Sequence, residues 1–153
     1  MDPLSIAGSS AALRASCYEL VTFTNQLSQE GVPDEDSTIA GLGWDLHYAS
    51  QTLDEINLTW RSSSSVFMIH PSAGLGMWPN VQNNLHSTAS TLQGLKEKML
   101  PVMNSGRRGG LMGLGAKAWA LGRQIKAISN YRRRVQAHHM ALKVAAGMMR
   151  MSV

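Results

Sequence analysis

The chain has 153 residues, of which 44% are hydrophobic and only 16% are charged. This length suits one domain with a real core, and the composition excludes both a disordered chain and an ordinary integral membrane protein. Typical soluble domains carry about a quarter of their residues as charges. The low charge content therefore indicates a surface that is used in part by a partner or a lipid.

The charges are divided between the two ends of the chain. Residues 1–60 contain nine acids and one base, whereas residues 61–153 contain thirteen bases and one acid. This division predicts an internally complementary fold, an anionic partner for the second half, or both.

The N-terminus and the single cysteine bear on the compartment. Cys17 has no second cysteine to pair with, which fits a reducing environment. Asp2 stands where a secretory signal would carry basic residues, and no apolar run reaches the roughly 18–20 residues of a spanning helix. We expect a cytoplasmic protein.

The first half of the chain predicts two helices, over about 2–29 and 33–62. Gly31 is typical of the end of a helix, and the serine run at 62–65 predicts the end of the second one. The apolar positions of the second helix alternate in steps of three and four, which is the spacing of a bundle seam. These positions are Ile39, Leu42, Leu46, Ala49, Leu53, Ile56 and Trp60.

The second half predicts two further helices, over about 79–100 and 116–150. Pro101 is expected to close the third helix, and a glycine-rich basic linker precedes the fourth, which is the longest. The chain shows no internal repeat and no sustained β-alternation. We therefore predict a single all-α domain over residues 1–153, a four-helix-bundle-type fold with a long C-terminal helix.

The residue types that could carry catalysis do not form a recognisable constellation. None of the five histidines has a histidine four residues away with a nearby carboxylate, and no Glu-x-x-His pair indicates a di-metal enzyme. Adjacent His138 and His139 point to two faces of a helix. The glycines between 106 and 115 lack the Gly-Lys-Ser/Thr ending of a phosphate loop. We expect no metal, no cofactor and no enzymatic activity.

The basic residues of the last helix allow three interpretations. Three consecutive arginines on a helix span about 200°, so they cannot all face one ligand. A solvated or salt-bridged face is the first interpretation, anionic lipid headgroups the second, and nucleic acid the least favoured because no stacking platform adjoins. The lipid-binding candidates are Arg123, Lys126, Arg132, Arg133 and Arg134.

Two further residue groups are assigned to packing. The tryptophans are expected to be core or helix-end anchors. The methionines near the C-terminus either fill core gaps, which is the favoured interpretation, or form an adaptable surface for a partner. In the first helix, Gly8, Ala12 and Ser16 are spaced four apart, which suits close helix packing in a membrane or in a bundle.

Two segments resemble a known family. The first is the opening stretch from Met1 to Leu13, and the second is a tryptophan followed by a long helix with basic positions and an alanine-rich end. The residues of the second segment are Trp119, Ala120, Leu121, Ile125, Ile128, Tyr131, Arg134, Val135, Ala137 and His138. Together they resemble the N-terminal domains of fungal NOD-like (STAND) receptors, which are relatives of the HeLo and HeLo-like cell-death domains.

The resemblance implies a cytosolic signalling or effector domain of the innate-immunity type. Such a domain forms a homo-oligomer on activation, relocates to the plasma membrane and permeabilises it through its N-terminal helix during programmed cell death. Its partners would be copies of itself, a cognate receptor or helical domain, and anionic lipids. The alternative is a soluble helical adaptor without membrane activity. By position, the insertion or oligomerisation candidates are Leu4, Ile6, Gly8, Ala11 and Ala12.

Overall fold

The computed structural model describes residues 3–69, 77–106 and 110–151. In these ranges the chain forms four α-helices and no strand: α1 (Pro3–Gln29), α2 (Thr38–Ile69), α3 (Met77–Asn104) and α4 (Gly110–Met151). The predicted all-α four-helix architecture with a long C-terminal helix is confirmed. The described residues do not include Asp2, positions 107–109 of the glycine-rich basic linker, or the side chains of Leu4 and Trp78.

The four helices are arranged around a square. α1 packs against α2 and α3, and α4 packs against the same two helices, whereas no contact between described residues crosses either diagonal. Asp45 of α2 meets Arg132 of α4, and Thr52 meets His139. Because the residue numbers of both helices increase in the same direction along this contact, α2 and α4 run parallel. Contacts between α3 and α4 run in the opposite order, so these two helices are antiparallel.

The core lies along the axis of the square, and the spacing of apolar residues placed it correctly in α2. All seven positions predicted as the seam of α2 are buried. The other three helices contribute large side chains that are almost wholly inaccessible to solvent. Among them are Leu20, Leu27, Leu95, Met99, Ile128 and Leu142.

The turn between α1 and α2 is built by local hydrogen bonds. Gly31 has a φ of 75°, and the amide of Val32 donates to the carbonyl of Leu27 at 3.1 Å. This is the glycine-terminated helix end that the sequence predicted. α2 begins at Thr38, five residues later than expected, because Asp34 acts as a cap. Its carboxylate accepts hydrogen bonds from the amides of Ile39 and Ala40 at 3.1 and 3.0 Å.

Three other helix ends differ from the sequence prediction. α2 continues through the serine run to Ile69, and the hydroxyl of Ser62 donates to the carbonyl of Leu58 in the same helix. α3 continues through Pro101 to Asn104, because the following Val102 is fully buried. α4 begins at Gly110 rather than 116, and Gly113 in its first turn is buried. Burial at Val102 and Gly113 thus overrides the low helix propensity of proline and glycine.

Candidate functional site

α4 is attached to the acidic first part of the chain by a polar seam. Lys117 pairs with Glu30, and Arg132 pairs with Asp45. Arg150 lies 3.7 Å from Glu55. Acids of the first half of the chain therefore pair with bases of the second half within the fold. This is the internally complementary fold that the division of charges predicted.

Lys117 carries the most deeply buried charge of the polar seam, and its burial was not predicted from the sequence. Its ammonium lies 2.5 Å from the Glu30 carboxylate, and only 7% of its side chain is exposed. The hydrogen bond that Lys117 donates to the Glu30 carboxylate stabilises its charged form and so holds the pKa of Glu30 below its ordinary value. The stem of Lys117 lies over Gly106, where a Cβ would clash with it. That glycine, in a segment expected to be a flexible linker, was the only signal available.

Arg132 occupies a similar position further along α4. Its Nε donates to Asp45 at 2.7 Å, and Gln136 donates to the same carboxylate at 3.0 Å. The Arg132 guanidinium lies directly over Gly41 of α2, where any Cβ would clash with it. Arg132 was a lipid-binding candidate, but this ion pair places it inside the seam.

The adjacent histidines connect α4 to both of its neighbours. His138 Nε2 is hydrogen-bonded with the Thr91 hydroxyl of α3 at 2.7 Å, and His139 Nε2 with the Thr52 hydroxyl of α2 at 3.0 Å. Burial lowers the pKa of both rings, and the positive charges of Arg134 and Lys143 lower the pKa of His138 and His139 respectively. Both rings are therefore neutral at pH 7 and serve as polar packing.

The remaining lipid-binding candidates point away from the bundle. Arg123, Lys126, Arg133 and Arg134 are exposed, and the described residues offer none of them an acid within ion-pair distance. The Arg123 guanidinium lies 4.9 Å from the ring centre of Trp119. The guanidinium of Arg134 lies 5.1 Å from the ring centre of Tyr131. The aromatic rings hold these two arginines on the outer side of α4.

The outer side of α4 also carries exposed apolar residues. Seven of the eleven large hydrophobic side chains that are exposed in the described part of the chain lie on α4. The expectation that Trp119 anchors the core or a helix end is therefore wrong. Among the four methionines near the C-terminus only Met149 is buried, so the interpretation as core filling is wrong for the other three. The seven residues are Leu111, Met112, Trp119, Met140, Val144, Met148 and Met151.

The insertion candidates of α1 are divided between its two sides. Ile6 is 1% exposed and belongs to the core, whereas Gly8, Ala11 and Ala12 are exposed. The only charge between residues 3 and 18, Arg14, forms an ion pair with Asp54 of α2. Apart from the paired Arg14, the described outer side of the first half of α1 is thus small and uncharged, and the bulky Ile6 and Leu13 face inward.

The contact of α1 with α3 is imperfectly packed. A cleft of about 210 Å³ lies between the two helices, lined on the α1 side by Ile6, Ser9 and Leu13. The neighbouring Ser10 hydroxyl is buried and has no hydrogen-bond partner. A buried polar group without a partner weakens packing, and an open cleft removes neighbouring atoms from one side of the residues that line it. The first half of α1 is therefore held less firmly than a fully packed helix would be.

A second exposed aromatic group lies on α2. The rings of Trp44 and Tyr48 stack with their centres 6.1 Å apart, and His47 meets Trp44 edge-on. Trp44 is 62% exposed, so the expectation that it anchors the core or a helix end is wrong. It borders an open groove between α1 and α2.

The described residues contain no group of three or more His, Cys, Asp or Glu side chains that could hold a metal ion. Cys17 is fully buried, and burial raises the pKa of its thiol to about 12, so it stays protonated and unreactive. Among the described residues, no helix is both long enough and apolar enough to cross a membrane.

Comparisons of the chain with protein-family models, curated proteins and solved structures give no match.

Proposed function

We propose that this chain is a non-enzymatic signalling or effector domain that acts on membranes by releasing α1 from the bundle and oligomerising. The resemblance to the N-terminal domains of fungal NOD-like receptors, which belong to the HeLo-like group, suggests a role in programmed cell death. The observation that carries the proposal is the state of α1. Its first half has one charge, already neutralised by Asp54, an open cleft lies beside its contact with α3, and the buried Ser10 hydroxyl has no hydrogen-bond partner.

Release of α1 would change what the helix presents to its surroundings. At rest Ile6, Leu13 and Cys17 are buried, and the outer side shows Gly8, Ala11 and Ala12. After release the same segment would be apolar on one side and small on the other. Small residues let helices approach closely, so the released segments of several copies could pack together at a bilayer. This arrangement fits permeabilisation by an oligomer.

The experiment is leakage of a fluorophore from vesicles of phosphatidylserine and phosphatidylcholine. A side chain at Gly8 would meet no neighbouring atom, so Gly8→Glu leaves the resting fold intact. We expect the wild type to release the dye and Gly8→Glu to release far less, because a carboxylate would have to enter the bilayer. Thr22→Glu, at an exposed position later in α1, is the matched control and should behave as the wild type. Intact vesicles with micromolar wild-type protein would refute the proposal.

The second candidate function is that of a helical adaptor without membrane activity. It is favoured by the exposed Trp44–Tyr48 stack, which offers a rigid aromatic surface to another protein. This candidate predicts a stable complex or oligomer that forms without lipid and is lost in Trp44→Ser. Light scattering of the wild type and this variant, with and without vesicles, separates the two functions.

A further inference from the structure

The outer side of α4 forms one continuous stripe. At 100° per residue, ten exposed residues between Met112 and Met151 fall on an arc of about 120°, opposite the buried positions of the helix. The two ends of the stripe are apolar and its middle is basic. Along the chain its members are Met112, Trp119, Arg123, Lys126, Arg133, Arg134, Met140, Val144, Met148 and Met151.

The charge of the stripe is not compensated by acids in the described part of the chain. No Asp or Glu follows Glu97 in the sequence, so α4 contains no acid of its own. The acids of α2 and of the preceding turn that pair with α4 do so on its inner side, at Lys117, Arg132 and Arg150. The stripe is therefore a positive surface, and its partner must be negative.

We infer that this stripe is a docking surface for the anionic headgroups of a membrane, on which α4 lies lengthwise with its apolar ends in the headgroup layer. The basic middle would contact the headgroups, and Trp119 and Met140 would enter the layer on either side of it. This inference deepens the proposed function, because it names the surface that brings the domain to the membrane before α1 is released.

The shape and composition of the stripe favour a lipid surface over an acidic protein. The outer side of a helix is a convex ridge, and this one is about 58 Å long from Met112 to Met151 at 1.5 Å per residue. A protein would need a groove of that length, whereas a fluid bilayer adapts to a ridge. Lysine and arginine together with exposed tryptophan and large aliphatic residues are typical of helices that lie in the plane of the interface.

Docking of this kind requires no helix that spans the membrane. Binding would come from headgroup attraction together with shallow burial of apolar side chains, both of which leave the bundle folded. Arg132, Lys117 and the two histidines do not take part, since their side chains are already used within the seam.

The test is co-sedimentation of the folded protein with vesicles of phosphatidylserine and phosphatidylcholine in equal parts, and of phosphatidylcholine alone. We expect binding only to the anionic vesicles. Lys126→Gln with Arg133→Gln should weaken it roughly twentyfold, since each base near an anionic surface is worth about a fivefold change. The matched control is Lys98→Gln with Lys143→Gln, which removes the same charge outside the stripe and should lose far less.

The apolar ends are tested separately. Trp119→Ser with Met140→Ser should weaken binding roughly tenfold. Trp44→Ser with Tyr48→Ser, which removes two exposed aromatic rings from α2, should leave it unchanged. Brominated acyl chains should quench the tryptophan fluorescence of the wild type and of Trp44→Phe, but quench Trp119→Phe much less.

The outcomes separate this inference from the proposed function. Binding that depends on the stripe, without leakage, supports the docking surface and refutes the membrane-permeabilising function. Leakage that is unaffected by the stripe variants supports the membrane-permeabilising function and refutes the docking surface. The inference is overturned if both control pairs lose as much affinity as the stripe variants. It is equally overturned if the protein binds beads coated with poly-glutamate but neither kind of vesicle, which would assign the stripe to an acidic protein.

Discussion

α1 and α4 lie at opposite corners of the same square, and each packs against α2 and α3. α1 is held by apolar side chains and by two ion pairs, Arg14–Asp54 with α2 and Lys96–Glu19 with α3, and an open cleft lies beside Ile6 and Leu13. α4 is held by ion pairs and histidine–threonine hydrogen bonds in addition to its apolar residues. The two helices differ in how deeply their charged contacts are buried, because the ion pairs of α1 are more exposed than those of α4 at Lys117 and Arg132. Under the proposed function, the first half of α1 would be the part of the bundle that leaves and α4 the part that stays.

The largest expected effect tests whether α1 is loosely packed in its first half. Leu13 and Leu20 are both buried leucines of α1, but only Leu13 lines the open cleft between α1 and α3. Leu20→Ala should lower the free energy of unfolding by about 4 kcal/mol, and Leu13→Ala by only about 2 kcal/mol. Chemical denaturation measures both values. Equal losses would mean that the two halves of α1 are packed equally well.

The next effect tests the polar attachment of α4. Asp45→Ala and Arg132→Ala each leave a half-buried polar group without its partner, and each should destabilise the fold by about 1–3 kcal/mol. The double variant should lose much less than the sum of the two, with a coupling of about 1–2 kcal/mol in a double-mutant cycle. Additive losses would show that the ion pair does not hold α4 to α2.

These two helices also show what the sequence could and could not predict. The apolar residues of α2 recur at alternating steps of three and four residues. This spacing identified the buried side of α2 completely, because residues so spaced lie on one side of a helix. The charge split correctly indicated internal pairing. The sequence could not show which bases are paired, because that depends on the register of α2 against α4. It likewise missed the buried state of Lys117, which depends on the space left by Gly106.

The helix ends illustrate the same limit. Ser62, Pro101 and Gly113 are all residues that weaken helices locally, and the sequence alone predicted ends near them. Gly113 instead packs against the carbonyl of Gly106, with a hypothetical Cβ only 3.0 Å from that oxygen. Close packing of this kind is a tertiary contact, and no local pattern in the sequence reveals it.

A smaller effect concerns pH and again distinguishes α4 from α1. The pKa of His138 and of His139 is lowered in the folded state from 6.5. The unfolded chain therefore binds protons first as the pH falls below about 6.5. Stability should be constant from pH 8 to 7 and should decrease from pH 6.5 downwards, through the folded-state pKa values. Thermal unfolding of wild type and of His138→Asn with His139→Asn checks this, since the double variant should lose much of the slope.

The smallest effect is expected on the exposed side of α4. Trp119→Ser and Met140→Ser should each change the free energy of unfolding by no more than about 0.5 kcal/mol, because these side chains are 67% and 66% exposed. Thermal unfolding provides the measurement. A loss of several kcal/mol would show that these residues stabilise the fold and are not a free docking surface.

The most direct test of the account is vesicle leakage with α1 reversibly tethered to α3. Ser9 and His86 line opposite sides of the same cleft and are exposed, so Ser9→Cys with His86→Cys can be joined by a bismaleimide that contains a disulfide. The native Cys17 is buried and will not react. We predict that the tethered protein still binds anionic vesicles but releases no dye, and that reducing the linker restores leakage. Undiminished leakage from the tethered protein would contradict the release of α1.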